Sequence, residues 1–222
     1  MSLSLSRPIL YLITRGATTE ATTPETTEFK ELLAQISAAV RAGIDLVQIR
    51  EKQLSGRALF DLTERAVEIT RSSATRVLVN DRADVAAGAG ADGVHLTTRS
   101  LEAHTIRRSF GAKFLIGAST HSPEEAQVAR DQGADFVVLG PIFHTPSKEQ
   151  YGEPVGLQML FAVASRLGQF PVLALGGISV SNAGDCLAAG ASGVAGISLF
   201  QEAQQLKSIT EAIRQSAKGA AT

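Results

Sequence analysis

The chain has 222 residues, of which 44% are hydrophobic, and its 21 basic and 22 acidic side chains give a formal net charge of −1 at pH 7. This length and composition predict one folded domain with a full core and exclude a disordered or collagen-like chain. The near-neutral charge and the absence of tryptophan argue against nucleic acid as a partner and favour a small molecule.

The single cysteine, Cys186, cannot form an intramolecular disulfide and is expected to be a core thiol. No apolar stretch approaches the roughly 20 residues that span a bilayer, and the first residues lack a signal-peptide pattern. We therefore expect a cytoplasmic protein with no membrane partner. The sequence leaves the oligomeric state open, a homo-oligomer included.

Apolar runs of strand length alternate with amphipathic segments along the chain. The predicted strands are 9–14, 45–50, 76–80, 93–96, 114–119, 136–140, 172–176 and 194–198. Helices are predicted over 27–42, 56–71, 101–109, 122–132, 157–167, 180–189 and 204–217, with only a turn or two after Asn80. Residues 15–27 predict a long, mobile loop able to close over a substrate, and 218–222 predict a frayed tail.

A short motif recurs at the start of every second predicted strand. Each copy has a helix end, a glycine, a small and a polar residue, and then a buried strand; the glycines are Gly43, Gly90, Gly133 and Gly190. The glycine is the expected left-handed end of the helix, because it takes a positive φ without a Cβ penalty. The repeat interval is that of one or two βα units.

Eight βα units in about 220 residues predict an α/β fold, a single-domain TIM (β/α)8 barrel over 1–222. A doubly wound open sheet is the alternative, but Gly16 is the only glycine in the turn after the first strand, where such a sheet normally carries several. In a barrel the reacting groups lie at the carboxyl ends of the strands. The polar residues that end each run should therefore meet at one rim.

Cations and a carboxylate end the second and third predicted strands. Alternation sends Gln48, Arg50 and Lys52 to one face, where two cations and an amide would be costly to bury without an anion. Asn80 and Asp81 end the third strand. Asp81 is either a metal ligand or an ion-pair partner of these cations, and as an isolated residue it would be a helix N-cap.

Histidines and hydroxyls end the fourth and fifth strands. We interpret His95 as a hydrogen-bonded structural histidine at the rim rather than a base. Ser119 and His121 alternate onto one side of the fifth strand, where His121 is either a capping histidine or a proton carrier. No Ser-His-Asp arrangement is visible, so hydrolysis is not favoured.

The last three strands end in groups that suit an anion. Gly140 stops the sixth strand, and the loop that follows carries Thr145, Ser147 and Lys148, so a phosphorylated substrate is the first hypothesis and a solvated loop the alternative. A Gly176-Gly177 pair follows the seventh strand, and Ile197-Ser198 follows the eighth. Barrels often hold phosphate at these last two strands.

Taken together, these motifs resemble the thiamine phosphate synthase family and its close relative, the thiazole tautomerase TenI. The motifs are QIREK (48–52), VNDR (79–82), GVHL (93–96), GASTH (117–121), GPIFHTPSK (140–148), GGI (176–178) and IS (197–198). The resemblance covers about 9–199. It implies a TIM barrel that joins a pyrimidine pyrophosphate to a thiazole phosphate and releases pyrophosphate.

The resemblance also implies roles for individual residues. The positions matching those that hold the pyrimidine pyrophosphate are Gln48, Arg50, Lys52, Asn80 and Lys148. Asp81 matches a Mg²⁺ ligand, and Ser119 matches a hydroxyl near the leaving group. The positions matching the thiazole phosphate pocket are Thr145, Ser147, Gly177, Ile197 and Ser198. Lys52, Ser119 and Lys148 are the expected catalytic residues of a synthase, in which the thiazole nitrogen is the nucleophile.

One position departs from the synthase pattern. Synthases carry a second Asp as a Mg²⁺ ligand after the fourth strand, and this chain has Ser100 there. The loss should weaken Mg²⁺ binding, although waters and substrate oxygens can complete such a site. TenI-like proteins also lack that Asp, and the tautomerase uses a histidine after the fifth strand, for which His121 is the candidate here.

Three hypotheses follow, and the first is favoured. A synthase is favoured because the chain has Lys52, Asn80-Asp81 and the 145–148 segment, each of which would be superfluous for a tautomerase. A tautomerase, which is an isomerase, is favoured by Ser100. A non-catalytic thiazole-phosphate binder or regulator would keep 176–177 and 197–198 without needing Asp81.

Overall fold

Eight parallel strands close into a barrel in the computed structural model, which describes residues 8–145 and 153–219. The strands are β1 (Ile9–Ile13), β2 (Leu46–Ile49), β3 (Arg76–Asn80), β4 (Gly93–Leu96), β5 (Leu115–Thr120), β6 (Phe136–Leu139), β7 (Val172–Leu175) and β8 (Gly193–Gly196). Each strand pairs with the next, and β1 pairs with β8 through Leu10 and Val194. The predicted TIM barrel is confirmed, because an open sheet has no such closing pair.

Eight α-helices alternate with these strands in the described residues. They are α1 (Thr27–Ala42), α2 (Gly56–Thr70), α3 (Ala83–Gly88), α4 (Ala103–Phe110), α5 (Pro123–Asp131), α6 (Gly156–Leu167), α7 (Ala183–Ala188) and α8 (Leu206–Gly219). The short connection predicted after Asn80 is α3, and α8 continues to Gly219, beyond its predicted end at 217. The rest of the predicted frayed tail, 220–222, lies outside the described residues.

Side chains alternate between two apolar layers along each strand. Inward positions fill the barrel with Ile9, Tyr11, Ile13, Leu46, Leu78, Phe136, Val138, Leu173 and Ala195. The intervening positions pack under the helices, as Leu10, Val47 and Val94 do. None of the helices in the described part of the chain is both long and apolar enough to cross a membrane.

The repeated motif joins strands at the amino end of the barrel. Its four glycines have φ between 74° and 93°, so the predicted left-handed helix ends are confirmed. In three copies the following aspartate accepts a backbone N–H of the preceding strand at 2.8 Å: Asp45 from Leu10, Asp92 from Val77 and Asp135 from Ile116. Each aspartate also pairs with an arginine. In these three copies, the aspartate before β2, β4 or β6 is therefore hydrogen-bonded to the strand that precedes it, β1, β3 or β5. These bonds lie at the amino end of the barrel, away from the expected site.

Asp135→Ala tests how much these aspartate contacts contribute to stability. The variant loses the 2.7 Å ion pair with Arg107 and leaves the N–H of Ile116 without its acceptor. We expect the free energy of unfolding to fall by about 2 kcal/mol in urea titrations, because an unsatisfied backbone N–H is costly.

Asp131→Ala is the matched control for this prediction. Asp131 is exposed, and its partners are Gln127 and Arg130 on the surface of α5. Its removal should leave the unfolding midpoint nearly unchanged. Equal losses in the two variants would contradict the role given to Asp135.

Candidate active site

The carboxyl ends of β2 to β5 bring predicted site residues to one rim of the barrel. Gln48 is buried and faces the interior, Arg50 and Asn80 are half-buried, and Lys52 and Asp81 are exposed. The alternation predicted for the second strand is confirmed at Ile49, which packs in the outer layer.

The charges at this rim are predominantly positive. Partial burial lowers the pKa of Lys52, and the positive charge of Arg50 lowers it further; Asp81 opposes this effect, and Arg99 adds a smaller lowering. Arg50, Asp81 and Arg99 therefore each lie close enough to Lys52 to act on its charge. We call Arg50, Lys52 and Arg99 the cation cluster, and its positive charge suits a polyanionic ligand.

Asp81 has a left-handed backbone conformation that few residues other than glycine adopt. Its φ is +60°, in the left-handed region that asparagine and aspartate tolerate better than most residues. Its N–H donates to the carbonyl of His95 at 2.9 Å. This bond ties the end of β3 to β4 and holds Asp81 at the rim.

The described residues contain no group of three or more His, Cys, Asp or Glu side chains able to hold an ion, so Asp81 would bind a metal without a second such side chain from this part of the chain. The Ser100 hydroxyl is engaged within its own turn, since its Oγ accepts the N–H of Thr97 at 2.7 Å. Mg²⁺ commonly uses one or two protein carboxylates and completes its shell with substrate phosphates and waters. Asp81 beside the cation cluster fits that manner of binding.

A chain of four polar side chains crosses the barrel interior from β2 to β5. Gln48 Nε2 donates to Tyr11 Oη at 2.8 Å, and Tyr11 Oη lies 3.2 Å from His95 Nδ1. His95 Nε2 lies 2.9 Å from Ser119 Oγ. We call these four residues the interior relay. Both ring nitrogens of His95 have hydrogen-bond partners, as predicted, but the ring is buried inside the barrel and not at the rim.

The members of the interior relay are uncharged. Burial lowers the pKa of His95 to about 3, so its ring is neutral near pH 7. Burial raises the pKa of the Tyr11 phenol, and the bond from Gln48 only partly offsets this. The relay is therefore a line of neutral donors and acceptors that ends at the half-buried hydroxyl of Ser119.

A glycine makes room for the relay. The rings of Tyr11 and Phe136 meet edge-on at 5.6 Å, and His95 lies 6.1 Å from Phe136. A Cβ on Gly117 would lie 2.7 Å from His95 Nδ1 and would collide with the Phe136 ring. Only glycine at position 117 allows both rings their observed places.

The long loop predicted after the first strand is tied to the cation cluster. Glu51 is 3% exposed, and its carboxylate accepts the N–H of Gly16 at 3.0 Å and the hydroxyl of Thr18 at 2.7 Å. The N–H of Arg50 donates to Thr14 Oγ1 at 2.8 Å. The start of the loop and the end of β2 thus form one hydrogen-bonded unit.

The two glycines after β7 leave space for the loop that follows β6, which packs against them. Gly176 and Gly177 have φ of 98° and 64°. The N–H of Phe143 donates to the carbonyl of Gly176 at 3.0 Å, and a Cβ on Gly177 would lie 2.6 Å from the carbonyl oxygen of His144. The β6 loop therefore packs directly on the glycine turn.

The remaining predicted phosphate-site residues follow β6 and β8 in the chain. Thr145 is half-buried; Ser147 and Lys148 lie outside the described residues. Ile197 packs against the inner layer of the barrel, and Ser198 begins a 3-10 turn that ends at Phe200. The carboxyl ends of β6, β7 and β8 thus bring Thr145, Gly177 and Ser198 to the same end of the barrel.

His121 is held by two hydrogen bonds at the start of α5. Its Nδ1 lies 2.6 Å from the carbonyl oxygen of Gly140, so Nδ1 carries the hydrogen, and its backbone N–H donates to Glu125 at 2.7 Å. Ser122 is the N-cap of α5, and its hydroxyl accepts the N–H of Glu125. These contacts give His121 a part in joining β5 to β6 at the rim.

Comparison with known proteins places this barrel in a family. A family model described as thiamine monophosphate synthase matches residues 10–200. The chain belongs to this family. A putative thiamine-phosphate synthase from Geobacter sulfurreducens is 46% identical over 169 residues, which cover 76% of this chain and 79% of that protein. A thiamine-phosphate synthase from Roseiflexus castenholzii is 37% identical, with 94% and 91% covered.

Solved structures agree with this assignment. A thiamine phosphate pyrophosphorylase from Pyrococcus furiosus superposes with a TM-score of 0.80 at 27% identity, with 96% of this chain and 97% of that chain covered. The family predicted from the motifs is confirmed.

Three residues that the structure brings to the site of this thiamine monophosphate synthase family member were not predicted from the sequence. Arg99 acts on Lys52, Glu51 holds the loop after β1, and Tyr11 belongs to the interior relay. Tyr11 offered a signal, since alternation places its hydroxyl inside the barrel with Ile9 and Ile13.

Gly117→Ala should disrupt the relay. The added methyl group forces the His95 and Phe136 rings apart, so we expect the free energy of unfolding to fall by about 1–3 kcal/mol and the activity of the enzyme to fall with it. Unfolding titrations and rates of product formation measure the two effects.

Gly184→Ala is the control for that prediction. Gly184 lies in α7, and a Cβ there would meet Ser216 Cβ at an ordinary 3.7 Å. A helix accepts alanine better than glycine, so this variant should lose neither stability nor activity. A Gly117→Ala protein as stable and active as the control would contradict the packing argument.

Proposed function

We propose that the protein is a thiamine phosphate synthase. It condenses hydroxymethylpyrimidine pyrophosphate with hydroxyethylthiazole phosphate, or its carboxylate, to form thiamine phosphate and pyrophosphate in thiamine biosynthesis. The observation that carries the proposal is the cation cluster, in which the charges of Arg50, Arg99 and Asp81 all act on Lys52, in a chain with relatives named thiamine-phosphate synthases. A thiazole tautomerase or a non-catalytic binder has no need of this cluster.

The cluster suits a reaction in which a pyrophosphate leaves. The bond between the pyrimidine methylene carbon and the pyrophosphate oxygen breaks, and the carbon becomes cationic while charge gathers on the departing oxygens. The thiazole nitrogen then forms the new C–N bond with its lone pair. Fixed positive charges and hydrogen-bond donors aimed at the leaving oxygens stabilise this transition state more than a base would.

The pyrimidine pyrophosphate is assigned to the rim over β2 and β3. Arg50, Lys52 and Lys148 neutralise its phosphates, with Asn80 and Gln48 as polar contacts, and the Ser119 hydroxyl donates to the leaving oxygen. Support comes from the inward positions of Gln48 and Ser119 and from the half-buried position of Arg50 directly after β2. Arg99 joins this set, because its charge acts on Lys52.

Mg²⁺ is the expected cofactor of this reaction. Asp81 would hold it, together with pyrophosphate oxygens and waters. When bound, the ion neutralises charge on the leaving group. Arg50 and Lys52 supply further positive charge for the same oxygens, and Ser100 contributes no carboxylate.

The thiazole phosphate is assigned to the rim over β6 to β8. Its contacts are Thr145, Ser147, Gly177, Ile197 and Ser198. Loops after the last two strands are the usual phosphate site of such barrels, and the first N–H groups of the 3-10 turn at Ser198 have no partner inside that turn. In the described residues no acceptor takes the N–H of Gly177.

The partners in this proposal are small phosphorylated molecules, without nucleic acid. Phosphorylated biosynthetic intermediates are retained in the cytoplasm, so we place the enzyme there, either alone or as a homo-oligomer. His121 keeps its role in the alternative hypothesis, in which its imidazole would move the proton of a tautomerisation.

Product formation tests the proposal. The purified protein with both substrates and Mg²⁺ should release thiamine phosphate and pyrophosphate in equal amounts. Arg50→Ala should lower the rate by about a hundredfold or more, the scale of losing one fixed charge contact in a transition state. Arg57→Ala, at an 86% exposed side chain on α2, should leave the rate unchanged.

Two outcomes would contradict the synthase. One is the absence of product when a known synthase is active in the same assay. The other is Mg²⁺-independent aromatisation of the thiazole carboxylate phosphate that His121→Ala abolishes, which supports the tautomerase instead.

Ser100→Asp tests the metal argument. Adding a carboxylate to the rim should lower the Mg²⁺ concentration for half-maximal rate, by about tenfold, because affinity rises with ligand charge. An Asp can still accept the N–H of Thr97, so the turn should persist. Thr98→Asp, at an exposed neighbouring position, is the control; an equal shift in both variants would point to charge in general and refute a ligand role for position 100.

A further inference from the structure

We infer that the interior relay fixes the direction of the Ser119 hydroxyl, so that its hydrogen is always available to a bound ligand. Gln48 begins the relay, and Tyr11 and His95 transmit its direction as positioning residues that touch no substrate. The consequence for catalysis rests on the proposed function, because a departing pyrophosphate oxygen is the acceptor that Ser119 would serve.

Counting hydrogens along the relay gives its direction. The Gln48 amide nitrogen can only donate, so Tyr11 Oη accepts from it at 2.8 Å. The single hydrogen of Tyr11 is then used toward His95 Nδ1, 3.2 Å away. A neutral imidazole that accepts at Nδ1 carries its hydrogen on Nε2.

The last bond follows from that tautomer. His95 Nε2–H donates to Ser119 Oγ at 2.9 Å. The hydroxyl hydrogen of Ser119 therefore takes no part in the relay. It is free to donate on the solvent-accessible side of this half-buried residue. Ser119 is then a donor whose direction is set before any ligand binds.

The opposite direction would remove this property. If the Tyr11 hydroxyl donated to the amide oxygen of Gln48, His95 Nδ1–H would donate to Tyr11 Oη. The Ser119 hydroxyl would then donate its hydrogen to His95 Nε2. The serine could then only accept from a ligand. An acceptor facing a departing pyrophosphate oxygen would repel it, so only the first direction serves the proposed reaction.

Because the relay is buried, its hydrogen bonds can run in one direction or the other but cannot mix the two. Tyr11 is fully buried, and Gln48 and His95 are each 2% exposed. A buried hydroxyl or amide left without its partner is costly, so the bonds of the relay keep or reverse their direction together. The edge-on packing of Tyr11 against Phe136 and the absence of a Cβ at Gly117 hold the rings in line.

The tautomer of His95 is directly measurable. In protein labelled with ¹⁵N at histidine, the ring-nitrogen signals should show His95 as the Nε2–H tautomer, with Nδ1 unprotonated; His95→Gln identifies its signals among those of the four histidines. The Nδ1–H tautomer in the unsubstituted protein would overturn the inference. This measurement needs no substrate.

Tyr11→Phe tests the effect on catalysis. The ring remains against Phe136, but nothing donates to His95 Nδ1, so we expect a mixture of tautomers. We expect kcat to fall about tenfold or more while KM for both substrates changes by less than about twofold, because the lost orientation matters in the transition state. An unchanged tautomer with an unchanged kcat would refute the positioning role.

Two further variants separate this effect from general instability. Thr63→Val removes a buried hydroxyl that donates to Leu59 at 2.7 Å within α2; it should lower stability and leave both the His95 signals and kcat unchanged. Gln48→Met removes the head of the relay, and it should give mixed tautomers even if Tyr11→Phe does not fold. A single Nε2–H tautomer in Gln48→Met would show that Gln48 does not set the direction.

Failure of the inference and failure of the proposed function give different results. If no thiamine phosphate forms but His95 is the Nε2–H tautomer, the synthase proposal fails and the direction of the relay stands. If thiamine phosphate forms and His95 is the Nδ1–H tautomer, the synthase stands and the relay inference fails.

Discussion

The arrangement of the candidate site depends on the pairing of β1 with β8. This pairing closes the sheet into a barrel, so that inward side chains of all eight strands share one interior. In an open sheet Tyr11 and His95 would be separated by the strands between them. Closure and the inward alternation of both strands bring their side chains within hydrogen-bonding distance across the barrel, although 84 positions separate them in the chain. The space inside is limited, and Gly117 shows how closely it is filled.

The two ends of the barrel use charge in opposite ways. At the amino end, Asp45, Asp92 and Asp135 are each met by a backbone N–H and an arginine, so their charges stabilise the joints between strands. At the carboxyl end, the positive charges of Arg50 and Arg99 act on Lys52, and Asp81 opposes them. Such an excess of like charge destabilises the free protein and is relieved by an anion. The fold thus neutralises its aspartates at one end and leaves an excess of positive charge at the other.

Local periodicity predicted a large part of this arrangement. A strand period of two assigned Gln48 and Arg50 to the interior face, and the glycine of the repeat predicted the left-handed helix ends; both depend on neighbours within a few residues. The partner of Tyr11 could not be predicted in this way, because strand register and closure decide which inward residues meet. Glu51 was missed for a similar reason, since its partners belong to the loop after another strand.

The exposed and the buried parts of the site contribute to the proposed reaction in different ways. Lys52 and Arg99 are long, exposed side chains that lose conformational freedom when they close on a ligand, and this loss subtracts from what their charges contribute. Ser119 is held by bonds that exist before the ligand arrives, and a donor already in place needs no reorganisation as charge develops. A chain with Ser100 in place of a metal-binding carboxylate has fewer fixed charges at its rim. In the proposed reaction, the Ser119 hydroxyl, which the interior relay holds in place, then contributes a larger share of the stabilisation of the leaving oxygens.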